Sequence, residues 1–383
     1  MLRKTSFLML LLAASSVVFS LEHPSLIING VHTNPDILGG VPLPAGADMT
    51  LMVPIDTRHR TRASFRIDGS YGSRMILRDA ADMQPLAAPS DLDGINRFMW
   101  PNILLEAGLW HQLASGTKSV KEHSLNGANA WVFGAARLKY EKNSSMLPTT
   151  LFTDAQELLS ASFICGLAWD SVRWLDPRTK TGLYAETSVE GSPANLNFIG
   201  GADYGRINMN MSAYVPLSGG YSAPRIQTGS FTAYLACHVE ADYAFGNHIP
   251  HWTLTSFGGS LGRKGLGDMV RGAQSWGYEA PLKGYASAEL RIAGPLLSRS
   301  STLYPLGYLF VDSGIYREAP GVAASANHGV LSSTGGGIAL SILNFAYAGL
   351  YGGYRFNLGD PLAASYYSQA AAPFMGFAFT MQY

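Results

Sequence analysis

Residues 232–245 read TAYLACHVEADYAF, and at the two-residue period of a strand the segment has two unlike faces. One face carries Tyr234, Ala236, His238, Glu240 and Asp242, and the other carries Leu235, Cys237, Val239, Ala241, Tyr243 and Phe245. Residues 285–292 repeat the pattern, with Tyr285, Ser287, Glu289 and Arg291 set against Ala286, Ala288, Leu290 and Ile292. A strand that is charged on one side and apolar on the other suits a wall between a wet lumen and lipid. The polar face is expected to line the lumen and the apolar face to meet the hydrocarbon.

The same reading extends along the chain. Residues 130–140 and 207–215 alternate less cleanly. Further strand candidates are residues 49–55, 63–71, 98–109, 163–172, 181–189 and 197–205, then 251–257, 304–311, 332–342, 346–356 and 374–383. The expected fold is all-β: a transmembrane antiparallel β-barrel of about 16 strands, each span needing roughly 9–11 residues. Charged residues make up only 14% of the chain, where a soluble domain carries about 25%. Beyond the N-terminal region no apolar run reaches the 18 residues of a membrane helix. The nearest, residues 338–354, is interrupted by Asn344, Gly349, Gly352 and Gly353, and reads as two strands joined by a periplasmic turn near 343–345. Zero net charge argues against a nucleic-acid partner.

Both chain ends point to an outer-membrane address. Arg3 and Lys4 precede an apolar run over residues 7–19, with small Ser20 at its end, which reads as a signal peptide over residues 1–20. Residues 21–47 are expected to be a short periplasmic segment and residues 48–383 the barrel. Residues 377–383 alternate and end on an aromatic, so Phe377, Phe379 and Tyr383 are expected to form a C-terminal targeting signal on the closing strand. Polar, Gly- and Pro-containing stretches at 77–96, 115–127, 142–156, 218–229 and 319–328 are the expected extracellular loops. Cys165 and Cys237 lie inside candidate strands; a disulfide and two separate thiols are both open from sequence.

One stretch carries more specific chemistry. Residues 257–314 contain FGG, then GLGDMVRG, KGYASAELRIAGPL and YLFVDSG. Arg271 stands between Val270 and Gly272 in a glycine-rich loop, Glu289 and Arg291 share a strand face, and Asp312 precedes Gly314. An arginine confined in a lumen needs a carboxylate partner. The pattern resembles the sixth extracellular loop and adjoining strands of the outer-membrane assembly and secretion barrels, the BamA, TamA and FhaC superfamily of bacterial surface-antigen type. The likeness runs over residues 204–383. It includes YGRINMNMSAYVPL at 204–217, Ile249-Pro250 leading to Phe257-Gly258-Gly259, and Thr334-Gly335-Gly336-Gly337-Ile338. The resemblance implies an extracellular loop folded into the barrel. In it Arg271 of the Val270-Arg271-Gly272 tip meets Asp312 of the Phe310-x-Asp-x-Gly314 strand and lies close to Glu289, a cluster that locks the loop. Two departures stand out. Ala273 occupies a place where the family carries an aromatic, and residues 21–47 are too few for a periplasmic POTRA domain, so the chain reads as POTRA-less.

Other constellations are slight. His248 and His251 lack a third ligand, Asp91-Leu92-Asp93-Gly94 begins a calcium loop that does not continue, and residues 258–265 lack the spacing of a phosphate loop. No metal, cofactor or catalytic residue is expected, and the chain is not read as an enzyme. The expected function is protein or lipid insertion or translocation at the bacterial outer membrane. A passive porin or hydrophobic-solute channel and a surface-exposed antigen or adhesin are the alternatives. Expected partners are outer-membrane lipid, the barrel assembly machinery during biogenesis and a periplasmic accessory protein, around a monomeric barrel.

Overall fold

The computed structural model describes residues 25–38, 41–56, 60–75, 97–115, 129–142, 157–176, 178–218, 230–260, 265–273, 280–297, 303–317, 328–342, 346–357 and 371–381. The first seven strands are β1 (Ser25–Leu38), β2 (Val41–Pro54), β3 (Thr61–Met75), β4 (Arg97–Ser115), β5 (Asn129–Lys142), β6 (Glu157–Asp170) and the short β7 (Arg173–Asp176). Then come β8 (Thr179–Ser192), β9 (Asp203–Pro216), β10 (Thr232–His248), β11 (Leu282–Ala293), β12 (Tyr304–Arg317), β13 (His328–Ile342), β14 (Ala346–Asn357) and β15 (Ala372–Met381). Fourteen of them follow one another through a single antiparallel sheet in chain order, and β7 extends the β6 side of the hairpin with β8. With β6 and β7 counted as one interrupted strand, both the first and the last strand have their chain ends on the same side of the wall.

The faces of the sheet are inverted relative to a soluble protein. Inward positions are buried and charged: Asp48, Arg66, Glu106, Arg137, Glu190, Arg206, Asp242 and Asp312. Outward positions expose large apolar side chains, among them Leu109, Leu167, Met209, Val239, Leu309, Ile338 and Phe377. Burying charge in the interior costs several kcal/mol per ion unless partners surround it, and exposed apolar surface on this scale requires an apolar solvent. A lipid-embedded barrel meets both conditions. Strand β10 illustrates it: Tyr234, Ala236, Glu240, Asp242 and Ala244 are buried, while Val239, Ala241, Tyr243 and Phe245 are exposed.

Curvature follows from what the sheet encloses. The segment between β10 and β11 is reached by Arg66 from β3 and by Arg355 from β14, so strands near opposite ends of the path approach one loop. Strand β1 lies beside β15; no backbone ladder between those two is present among the described residues.

Three expectations change. Residues 25–38, assigned above to a periplasmic segment, form β1, paired to β2. Its register against β2 shifts at Ile28/Gly30, His32/Thr33 and Asn34/Leu38, so the pairing does not follow one steady two-residue period. Residues 197–205 are not a separate strand, because Gly200 and Gly201 sit at φ +86° and +65° and break the extended path before β9 begins. Residues 251–257 are not a strand either. They begin with a helical turn, α1 (His251–Thr255), whose first amides bond back to the Pro250 carbonyl. Inside a lumen there is no free sheet edge to pair with, and a helix satisfies its own backbone. Among the described residues fourteen strands follow the sheet path, roughly consistent with the expected number of about 16.

The strand order also divides the expected extracellular loops. The strand ends flanking 77–96, 142–156 and 319–328 lie at the same end as the β10–β11 segment, whereas those flanking 115–127 and 218–229 lie at the opposite end. The proposed signal peptide over residues 1–20 and Tyr383 lie outside the described residues, as do most of the residues of those five loops.

Candidate functional site

Strands β10 and β11 are joined by 33 residues (249–281), whose described parts reach inward to side chains of the wall. Helix α1 is followed by an irregular stretch, Ser256 to Ser260, with Gly259 at φ +100°, and, further on, by a second short helix, α2 (Leu266–Met269), which leads into Val270, Arg271 and Gly272. Phe257, Leu266, Val270 and Ala280 of the loop are essentially fully buried and form an apolar cluster with Tyr285, Tyr316 and Leu331 of the strands. Gly314 makes room for this cluster: a Cβ there would meet Leu266 at 2.7 Å and Val270 at 3.0 Å.

Arg271 sits at the tip and is held on every side. Its Nε donates to Asp312 Oδ2 at 2.7 Å and its Nη2 to Asp312 Oδ1 at 2.8 Å, a two-pronged contact that matches the planar guanidinium to the carboxylate. Its backbone N–H donates to the same Oδ2 at 3.1 Å. Nη1 lies 2.7 Å from Glu289 Oε1, and Glu289 is shared with Arg291 at 2.6 Å. Tyr285 and Ser287 hydroxyls donate to Asp312 at 3.2 and 2.8 Å. The guanidinium carbon lies 3.6 Å from the centroid of the Phe310 ring, within cation–π range. Asp312 has no exposed side-chain surface, whereas Arg271 and Glu289 retain 17% and 16%. Gly272 adopts φ +82° with Phe374 against it, so a side chain there would be strained and would clash at 2.4 Å. The carbonyl of Gly272 accepts from Arg355 of β14.

Thus Arg271, Glu289 and Asp312 come together, Val270 and Gly272 flank them, and Phe310 and Gly314 form the floor. Phe377 faces outward and is half exposed; Phe379 pairs with Ala348 through the β15 backbone. Ala273, where the resembling barrels carry an aromatic, packs at the edge of the apolar cluster. Cys165 and Cys237 are free thiols on outward positions of β6 and β10.

A second network holds the other half of the loop, and sequence reasoning did not assemble it. Arg66 binds Asp48 through Nε at 2.8 Å and Nη2 at 2.6 Å, and passes Nη1 to the Ser260 carbonyl at 3.1 Å. Arg137 binds Glu106 at 2.6 Å and Glu190 at 3.1 Å, and donates to the Gly259 carbonyl at 2.7 Å. Arg206 pairs with Asp242 at 2.9 Å and donates to the Ser256 carbonyl. Lys283 reaches Asp242 at 3.0 Å and the Thr253 and Ala280 carbonyls at 3.2 and 3.1 Å. The loop answers with its amides: Gly258 N–H donates to Asp242 at 3.1 Å, and Ser260 N–H to Glu186 at 2.7 Å. The cations lie on strands far apart in sequence and mostly meet backbone carbonyls, which leave no residue signature; only their inward parity was readable.

The wall on the other side of Arg271 carries a further polar row. Ser212 Oγ lies 2.8 Å from His238 Nδ1, and His238 Nε2 lies 3.3 Å from Glu240.

Substituting Arg271→Ala leaves Asp312 buried without its cation, and Asp312→Ala leaves the arginine without its acceptor. Breaking a fully buried pair costs about 3–5 kcal/mol, and residual exposure of Arg271 places the expected loss below that. Each variant is expected to lose stability in lipid and to expose residues 265–273 to protease. The double variant is expected to be little worse than either single, because both remove one interaction. Additive losses in that cycle would show that the two residues act independently.

No family model matches the chain, and no curated protein matches it by sequence. Solved structures do. BamA from Haemophilus ducreyi lacking POTRA domains 1-3 superposes with a TM-score of 0.52 at 12% identity, covering 94% of this chain and 64% of that one. CdiB from Escherichia coli gives a TM-score of 0.52 at 12% identity, covering 88% of this chain and 52% of that one. The chain therefore spans less than two thirds of the length of either. At that identity the likeness speaks for the fold: this chain has the barrel fold of BamA and CdiB.

Proposed function

We propose that this chain is an outer-membrane barrel that inserts or translocates protein or lipid at the bacterial outer membrane, without chemical catalysis. The observation that carries the reading is the β10–β11 loop, drawn into the lumen and tied at both ends to the wall by charge. A passive porin needs an open lumen, and here Arg66, Arg137 and Arg206 from three separate strands converge on residues 256–260. The shared fold with BamA and CdiB supports the assembly or secretion class. The partial exposure of Arg271, Glu289 and Arg291, against the full burial of Asp242, Lys283 and Asp312, supports a lumen that opens toward the side away from the loop entry. Outer-membrane lipid, the assembly machinery during biogenesis and a periplasmic accessory protein are the partners this reading requires, around a monomeric barrel.

The test is reconstitution into liposomes. Wild-type protein is expected to speed the folding of a urea-unfolded outer-membrane barrel client relative to empty liposomes, with little steady flux of small solutes. Arg271→Ala is expected to raise solute leakage. Steady wild-type flux with no effect on client folding would place the protein with the porins instead.

Phe377, Phe379 and Tyr383 are proposed as the signal by which the closing strand is recognised during assembly. A chain lacking residues 379–383 is expected to accumulate in the periplasm, aggregated or degraded. Recovery of the truncated chain in the membrane at wild-type level would remove that role.

A further inference from the structure

Outward positions on β12 to β15 break the otherwise continuous apolar cladding. The cross-strand row that starts at Leu309 continues through Gly336 and Gly352 to Met375, by the pairings Leu309↔Gly336, Gly336↔Gly352 and Gly352↔Met375. Two adjacent strands therefore present no side chain at this level, and Gly307 adds a third bare position on β12. Three inter-strand spacings separate Leu309 from Met375, about 14 Å. The next row, Ile338↔Leu350, closes the gap on one side. The result is a trough of about 650 Å³ in the lipid-facing wall.

Its chemistry is uniform. Leu309, Ile338, Leu350 and Met375 are all strongly exposed, Met375 at 84%. The backbone N–H and C=O groups of the floor belong to the ladders. Thr334, two residues before Gly336 on β13, donates to the Phe310 carbonyl at 2.9 Å. No charged side chain lines the trough; the hydroxyls among its lining residues are those of Tyr308 and Tyr351, and the exposed apolar side chains of the wall border it.

We propose that this trough is a seat for one lipid acyl chain, which lies over Gly336 and Gly352 between Leu309 and Met375. Elsewhere on the wall lipid meets a convex side-chain surface and exchanges freely. Here the chain gains contact on its underside as well as its flanks, and dispersion contacts of that kind add up. The inference rests on the membrane-embedded reading of the fold.

The experiment places a bimane label at Met375→Cys, or at Met209→Cys on β9 as the control, in a Cys165→Ala, Cys237→Ala background. The protein is reconstituted in phosphatidylcholine vesicles containing rising fractions of a lipid brominated along its acyl chains. Met209 is outward and 59% exposed, far from the trough. Both positions are expected to be quenched, but at a given bromolipid fraction Met375→Cys about twofold more strongly than Met209→Cys, because a chain seated over Gly336 and Gly352 is held against the label. Adding Gly336→Leu should fill the trough and bring the two curves together. If the filled variant does not fold, Gly352→Ala, a smaller intrusion, serves the same comparison. Identical curves at both positions in the unfilled protein would overturn the proposal. Absence of quenching at both would overturn the membrane reading itself.

Discussion

Acidic side chains of the barrel wall that accept hydrogen bonds from the backbone of an inward-folded loop are the interaction on which the rest of this structure depends. Asp242 receives the Gly258 amide, Glu186 the Ser260 amide and Asp312 the Arg271 amide. Matching cations complete two of these acids, Arg206 and Lys283 at Asp242 and Arg271 at Asp312, and the Ser260 hydroxyl joins its amide at Glu186. A loop in a lumen has no sheet to join and little water to meet, so its polar groups must be satisfied by the wall. Conversely, the wall's buried ions are tolerable only because loop carbonyls and amides finish their coordination. Loop and wall are each other's missing partners.

That dependence explains the two faces of the strands. The lumen side concentrates charge because it must hold a folded-in segment rather than a bare channel. The outer side is left to aliphatic and aromatic groups, and where glycines replace them the wall thins into a trough. The same pleat that points Phe310 and Asp312 inward at Arg271 points Leu309 and Val311 outward at lipid.

Much of this was legible in the sequence because the strand period sorts residues without any need for contacts. Alternation placed Glu289 on the lumen face, and the resemblance brought the Arg271 tip to it and to Asp312. The failures have local causes. The β1–β2 register shifts three times, so residues 25–38 show no steady two-residue period. Residues 251–255 alternate like a strand but curl into a helix because nothing in the lumen offers them an edge. The Arg66, Arg137 and Arg206 network was invisible because most of its loop-side acceptors are main-chain carbonyls of residues 256–260. No residue type at those positions announces that an arginine will arrive from a strand up to 194 positions away.

The most direct measurement of this coupling is hydrogen–deuterium exchange of the protein in lipid, followed at the amides of Gly258, Ser260 and Arg271. All three are donors to buried carboxylates, so they are expected to exchange as slowly as the strand amides of β10 and β11. Arg271→Ala is expected to speed exchange over residues 265–273 while leaving Gly258 and Ser260 slow, since a separate network holds them. Exchange of all three amides at the rate of free peptide in the unmodified protein would contradict a loop clamped inside the barrel.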